Sequence, residues 1–216
     1  MKLPLINSFK SAFELGELST SQKQTVITLL DKGKDRTLIK NWRPISLLNT
    51  DYKIASKSIA NRFKQFLPKL IHHNQTGYIE NRNIQENLRA VSDMLYYTKE
   101  HNIPGIMISL DFKKAFDSLE HNFLNIVLKK FNFGISFCRW IETFYNNISS
   151  CILNDGSTSR YVNIERGVRQ GDPLSPYLFI LSLEMLAIQI RQASSISGFK
   201  TEKEEIKLSL YADDIT

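Results

Sequence analysis

The chain has 216 residues, 42% hydrophobic and 23% charged, with six prolines and nine glycines, which excludes a disordered or low-complexity chain and allows one or two modest domains with a real core. No stretch approaches the roughly 20 apolar residues of a membrane span, no secretory signal opens the sequence, and Cys138 and Cys151 stand at no metal-ligand spacing, so the default setting is a reduced intracellular compartment. The net charge of +6 is uneven: residues 1–100 carry 16 Lys+Arg against 9 Asp+Glu, and residues 101–216 carry 12 against 13, a split that suits a polyanion held at one end and acidic chemistry at the other.

Residues 25–30 (Thr-Val-Ile-Thr-Leu-Leu) predict a strand, and Asp31 to Arg36 a basic turn after it. From Asp51 to Ile71 the apolar positions Ile54, Ala55, Ile59, Phe63, Phe66, Leu67 and Leu70 keep helical spacing, with Lys53, Lys57, Arg62, Lys64 and Lys69 mostly between them. A second helix is expected from about Ile84 to His101, closed by Pro104-Gly105. Ile106-Met-Ile-Ser-Leu-Asp111 is almost wholly apolar and predicts a strand buried on both faces that ends in a carboxylate. Ser118 is the expected cap of a helix carrying Leu119, Phe123, Ile126, Val127 and Phe131 and ending at Gly134; another helix should follow to about Asn147. Residues 151–164 predict a hairpin around Asp155-Gly156. Ser175-Pro176 opens a helix to about Ala193, and Ile206 to Leu210 reads as a strand leading into Tyr211-Ala212-Asp213-Asp214. Strands delivering acids from separate parts of the chain, with helices behind, predict an α+β sheet with its site on one edge.

Adjacent carboxylates on a tight turn, joined by Asp111 from a neighbouring strand, are what a pair of Mg²⁺ ions needs, and such a site suits phosphoryl or nucleotidyl transfer. Taken alone, the tetrapeptide is also an ordinary polar hairpin turn. Asp117, six residues after Asp111, competes as a ligand but reads better as a helix cap. Phe116 could pack against the sugar of a nucleotide, or could be a plain core residue. Arg166 to Pro176 packs two glycines, two prolines and two arginines directly before an apolar helix; backbone N–H groups and the helix dipole there favour anions, and Gln170 beside Gly171 can reach a base or sugar.

Five ordered segments carry a family resemblance: Asn41-Trp-Arg-Pro-Ile-Ser-Leu-Leu-Asn-Thr50, Gln75-Thr-Gly-Tyr78, Leu110-Asp-Phe-Lys-Lys-Ala-Phe-Asp117, Gly167-Val-Arg-Gln-Gly-Asp-Pro-Leu-Ser-Pro176 and Tyr211-Ala-Asp-Asp214. Together they resemble the reverse transcriptase domain, specifically its non-LTR (LINE-type) retrotransposon branch, from about Thr25 to the last residue. The resemblance implies a right-hand polymerase: residues 1–84 and 119–173 as fingers, residues 85–118 and 174–216 as a partial palm with a ferredoxin-like sheet, and no thumb. It makes Asp111, Asp213 and Asp214 the catalytic ligands of two Mg²⁺ ions, with Mn²⁺ an open alternative. Phe116 becomes the gate against the 2′-hydroxyl, and Gln170 and Gly171 the loop touching the incoming nucleotide. Arg43, and also Lys32 or Lys34, would reach the triphosphate. Tyr211 would pack near the primer end, and Arg169 and Arg82 along the template or primer. The implied partners are an RNA template with a DNA primer, deoxynucleoside triphosphates and the rest of a larger retroelement polyprotein, with no membrane, in the nucleus and/or cytoplasm.

One departure stands out. Glu80-Asn81 replaces the Pro-Gly turn that often follows the second segment; Asn81 can still turn left-handed, and Glu80 receives no role. A non-catalytic nucleic-acid-binding remnant is the alternative, and a different two-metal enzyme fits less well because Phe116 and the Gln170 loop have no use there. The sequence stops two residues past Asp214, before the strand expected to return from the turn, so the piece alone is expected to be inactive.

Overall fold

The computed structural model describes residues 2–201 and 205–216. The chain begins with α1 (Lys2–Leu15) and the single turn α2 (Thr20–Lys23), then enters β1 (Gln24–Asp31). A short 3₁₀ turn (Ile39–Asn41) leads to β2 (Trp42–Leu47), followed by α3 (Thr50–Phe63), α4 (Leu67–Leu70) and α5 (Ile84–Glu100). Then come α6 (Ala115–Ser118), α7 (His121–Lys130), α8 (Ile135–Tyr145), β3 (Ser149–Asn154), β4 (Ser157–Thr158) and β5 (Val162–Asn163). The last elements are α9 (Ser175–Gln192), β6 (Phe199–Lys200), β7 (Glu205–Ile206), β8 (Leu210–Tyr211) and β9 (Asp214–Ile215). These group into two compact units. One holds the segment ending at Asn61 together with Phe116–Ser175; the other holds Arg62–Ala115 and Pro176–Thr216.

The first unit is built on a sheet of order β2-β1-β3-β4, with β5 also paired to β3. β1 runs antiparallel to β2 and parallel to β3. β2 is an edge strand, which is where Pro44 costs no ladder bond. The hairpin after β3 turns on Asp155 and Gly156, both at positive φ (46° and 74°), the primed geometry that matches strand twist. Leu124, Val127, Leu128, Ile141, Phe144 and Ile148 fill the core of this unit. Arg139 finishes α1 by donating from Nε to Phe13 O (2.9 Å) and from Nη2 to Glu14 O (2.7 Å), satisfying carbonyls that a helix end leaves free.

In the second unit the core is carried by Phe63, Leu67, Ile71, Leu178, Ile180, Leu181 and Leu210. α9 is apolar around most of its girth; its buried Glu184 pairs with Arg191 and accepts from the His72 N–H at 3.4 Å. Burial raises the Glu184 carboxyl above its ordinary value, with Arg191 and the His72 N–H pulling it back. α5 starts where expected, on Asn83, whose side chain accepts from Gln85 N at 3.1 Å.

Five sequence expectations need correction. The strand expected over Ile206 to Leu210 is interrupted, because Ile206 ends β7, which pairs with β6, and Leu210 opens β8, which pairs with β9 in a separate sheet. The helix over 51–71 is broken between Phe63 and Leu67, because Pro68 has no N–H to bond the Lys64 carbonyl. Ser118 does not cap the helix after it. It lies in α6, and Glu120 is the N-cap of α7, since Leu119 O accepts from Gly167 N (2.7 Å) and Glu120 bridges to Arg166, pulling both residues out of helical conformation. Gly134 starts α8 rather than ending α7; Asn132, at φ 58°, makes the left-handed stop. The apolar run Ile106–Leu110 is not a doubly buried strand: Ile106 is 90% exposed and Ile108 61%. Only Leu110 finds a ladder partner, and a run without partners on either side cannot form a strand.

Candidate active site

The acidic turn belongs to the second unit. β8 and β9 form a hairpin in which Leu210 pairs with Ile215 and Tyr211 with Asp214. The expected missing return strand is therefore present as Asp214–Ile215, and it continues to Thr216, whose N–H donates to Ser209 O at 2.9 Å. Ala212, at φ 53°, takes the left-handed turn position, which costs a non-glycine residue roughly 1–2 kcal/mol. Leu110 then joins the other edge of β9: its N–H donates to Ile215 O at 2.8 Å, and Ile215 N–H donates to Leu110 O at 3.3 Å. That isolated bridge brings the segment carrying Asp111 alongside the edge of β9 at Ile215, next to Asp214 in the chain. Asp111 and Asp214 are exposed and Asp213 is half-buried. Among the described residues no three His, Cys, Asp or Glu side chains are gathered tightly enough to hold one metal ion. Three carboxylates on two adjoining backbone segments are nonetheless hard-oxygen donors of the kind Mg²⁺ takes.

Behind the turn lies the segment Asn74–Tyr78. Leu210 N–H donates to Asn74 O (2.8 Å) and Thr76 N–H donates to Leu210 O (3.0 Å), a parallel bridge at Gln75. The Asn87 side chain also donates to Leu210 O at 2.7 Å. Tyr78, itself at φ 58°, has its phenol raised above the ordinary value by partial burial first and then by the neighbouring Asp213 carboxylate. Gln75-Thr-Gly-Tyr78 carried part of the family resemblance, but no residue of it was expected in the site; the structure buries the polar Gln75 against the turn. Glu80 pairs with Lys64, and Asn81 turns left-handed at φ 62° as expected.

The remaining expected site residues fall mostly in the first unit. Phe116 is half-buried on α6, and its carbonyl accepts from Val168 N at 2.8 Å. Gln170 donates its side-chain amide to Asp117 Oδ1 at 3.0 Å, while its carbonyl accepts from Ser46 N at 3.0 Å. Gly171, at φ 103°, has no room for a side chain without strain: an added Cβ would lie 3.1 Å from Ser46 O. His121 Nε2 donates to Gly167 O at 2.9 Å. The loop 166–175 is thus tied to β2, α6 and α7.

That loop also brings its own anion. Asp172 is 3% exposed and accepts from Ser56 Oγ and from Ser175 Oγ (3.0 Å), so a carboxylate of the chain already occupies the start of α9. Burial raises the Asp172 carboxyl, against the pull of those hydroxyls, the Leu174 N–H and Arg169. Arg169 is buried too, with its guanidinium 4.8 Å above the Tyr52 ring and Nη2 donating to Lys23 O at 3.3 Å. Arg82, in the second unit, spends its donors on four carbonyls: His72 (2.6 Å), Gln75 (2.8 Å), Ile71 (2.9 Å) and Pro68 (3.2 Å). Both arginines hold the fold where the sequence suggested template contacts. Arg43, Lys32 and Lys34 are exposed around the β1–β2 hairpin, with Lys32 donating to Lys40 O at 3.2 Å.

This mixed α+β architecture recurs in two solved structures of apo telomerase from Candida tropicalis. One matches with a TM-score of 0.58 and 13% identity over 98% of this chain and 43% of that one. The other, truncated from its C-terminal domain, matches with a TM-score of 0.57 and 11% identity over 91% of this chain and 44% of that one. At such identities the likeness concerns the fold alone. Residues 21–216 match the family described as Reverse transcriptase (RNA-dependent DNA polymerase), and the chain belongs to that family. Its relatives are retroelement proteins of the non-LTR kind. They include the transposon TX1 uncharacterized 149 kDa protein of Xenopus laevis, 37% identical over 94% of this chain and 16% of the relative. The Pol polyprotein from the type-1 retrotransposable element R2 of Popillia japonica is 28% identical over 93% of this chain and 28% of the relative. The RNA-directed DNA polymerase from the mobile element jockey of Drosophila melanogaster is 26% identical over 95% of this chain and 22% of the relative. The chain spans less than a third of the length of each of these relatives.

Proposed function

We propose that this segment adds deoxynucleotides to a primer 3′-hydroxyl on an RNA template, as the nucleotidyl-transferring part of a larger retroelement polyprotein. The observation that carries this is the pairing of Leu110 with Ile215, which brings the segment bearing Asp111 alongside the Asp213-Asp214 turn in a chain of the reverse transcriptase family. Asp111 and Asp213 would be the firmer ligands of two Mg²⁺ ions and Asp214 would complete the set. Divalent ions held there would lower the pKa of the attacking hydroxyl and offset the charge of the triphosphate. Residues 1–84 and 119–173 act as fingers and 85–118 and 174–216 as palm. Exposed Arg43, with Lys32 and Lys34, offers cations for the triphosphate, Arg with the better fork. Gln170, Gly171 and Phe116 present the nucleotide-facing loop and the gate, and Tyr211, 41% exposed opposite Asp214, supports the primer end. The setting is intracellular, nuclear and/or cytoplasmic.

The test is primer extension on poly-rA/oligo-dT by the complete polypeptide that carries this segment. Mg²⁺-dependent synthesis that Asp213→Asn abolishes is the expected result. Retained synthesis in Asp213→Asn removes the metal assignment. Tight hybrid binding by the unaltered polypeptide without any extension supports the non-catalytic remnant instead.

A further inference from the structure

We infer that Gln75 is a positioning residue for the acidic turn: its side-chain amide clamps the Ala212 backbone and so sets where Asp213 and Asp214 present their carboxylates. The inference rests on the polymerase reading for its consequence, but its geometry stands by itself within the second unit. Gln75 is 2% exposed, and its amide meets Ala212 from both sides. Nε2 donates to Ala212 O at 3.0 Å, and Oε1 accepts from Ala212 N at 2.9 Å. Oε1 accepts a second bond, from Gly77 N at 2.8 Å, which fixes the amide orientation.

Those bonds grip the two peptide planes that flank the Ala212 Cα. The N–H belongs to the Tyr211–Ala212 peptide and the carbonyl to the Ala212–Asp213 peptide. Holding both planes fixes φ and ψ of a residue that sits, against its own preference, at φ 53°. Direction at Asp213 follows from that, because its N–H and Cα lie in the clamped plane. A main-chain partner could satisfy the same two groups, but only within a ladder, and the turn is where the β8–β9 ladder stops.

Gly77 supplies a second, independent sign that the two segments are fitted together. A Cβ added there would fall 2.3 Å from Ala212 N and 2.9 Å from Ala212 Cα. Backbone atoms cannot yield as a flexible side chain can, so any residue other than glycine would push the turn off the clamp. Oriented partners behind metal ligands tune metal affinity and activity by about 10–100-fold when removed.

The experiment uses the complete polypeptide and the variant Gln75→Met, which keeps length and volume but can make none of the three bonds. The expected result is a lowered thermal midpoint, because three buried backbone groups lose their partner. At a temperature where the variant is folded, RNA–DNA hybrid affinity should stay close to the parent, with kcat per folded molecule for deoxynucleotide incorporation down about 10–100-fold and KM changed less than about threefold. Binding of Mn²⁺ alone, followed by electron paramagnetic resonance, should weaken by a similar factor. Unchanged Mn²⁺ affinity and kcat overturn the inference, and so does a loss of kcat that merely tracks a loss of folded protein. If Gln75→Met unfolds, Gln75→Glu is read instead: it keeps both acceptor bonds, loses the donor bond, and should lower kcat with KM held; parental kcat overturns the clamp. A parent polypeptide that extends no primer overturns the polymerase reading, while the Mn²⁺ measurement still decides the clamp.

Discussion

Asp117 holds Gln170: the amide Nε2 donates to Asp117 Oδ1 at 3.0 Å, so this acid serves the loop and not the Asp111 segment. The two acids of the Leu110–Asp117 motif, Asp111 and Asp117, therefore have separable effects. On the polymerase reading, Asp117→Ala frees the Gln170 side chain at a cost of about 1–2 kcal/mol in nucleotide binding, or 5–30-fold in KM. Its Mg²⁺ requirement should match the parent. Steady-state kinetics at varied deoxynucleotide and varied Mg²⁺ check this, and Asp111→Asn should instead abolish synthesis.

Phe116 sits on α6 with its carbonyl bonded to Val168 N, so the residue is held from the same loop that carries Gln170. A fixed backbone makes ring size the variable that counts. Phe116→Val should raise ribonucleotide incorporation relative to deoxynucleotide by at least about tenfold, with deoxynucleotide kcat largely kept. Competition between the two substrates on one primer measures the ratio; an unchanged ratio removes the gate role.

Arg82 and its four carbonyls make a prediction about stability. Arg82→Ala leaves the carbonyls of His72, Gln75, Ile71 and Pro68 without their shared donor and should lower stability by about 2–4 kcal/mol. Were it a template contact, the salt dependence of hybrid binding would flatten by about one counterion. The expected outcome is a lower thermal midpoint with an unchanged salt slope.

The same residues show what the sequence made legible. α5, α9 and the Asp155-Gly156 hairpin were readable because caps, periodicity and turn chemistry act within a few residues. Leu119 and Glu120 could not be read that way, because Gly167 and Arg166, nearly fifty positions away, pull them into extended conformation. β2 and α1 were not anticipated either; β2 takes its form from pairing along β1. For the candidate site, motif order singled out the three acids, Phe116 and Gln170. The clamp by Gln75 was not, since it joins residues 137 positions apart and only burial reveals that its amide faces backbone. The carbonyl partners of Arg169 and Arg82 were not legible for a related reason: a guanidinium looks equally ready for phosphate or for carbonyls until its donors are traced.

His121 gives the loop a pH dependence whose sign can be worked out. Its Nε2 faces the Gly167 carbonyl, an acceptor only, so the neutral ring carries its proton there. Burial holds the imidazole below its ordinary value of 6.5, helped by the charge of Arg169 and opposed by the bond to Gly167. The unfolded chain therefore takes up this proton first as pH falls, so the stability present above about 6.5 is lost as pH drops toward the folded value. Asp172 and Glu184 act in the opposite sense: their raised carboxyls bind protons more readily when folded, so they add stability as pH falls through their folded values. Subtracting a variant cancels them, since they are common to both proteins. His121→Gln keeps a donor for Gly167 O and cannot titrate. Thermal midpoints measured from pH 7.5 to 5.5 should fall more steeply for the parent than for His121→Gln, and parallel curves would show that the imidazole carries no such burden.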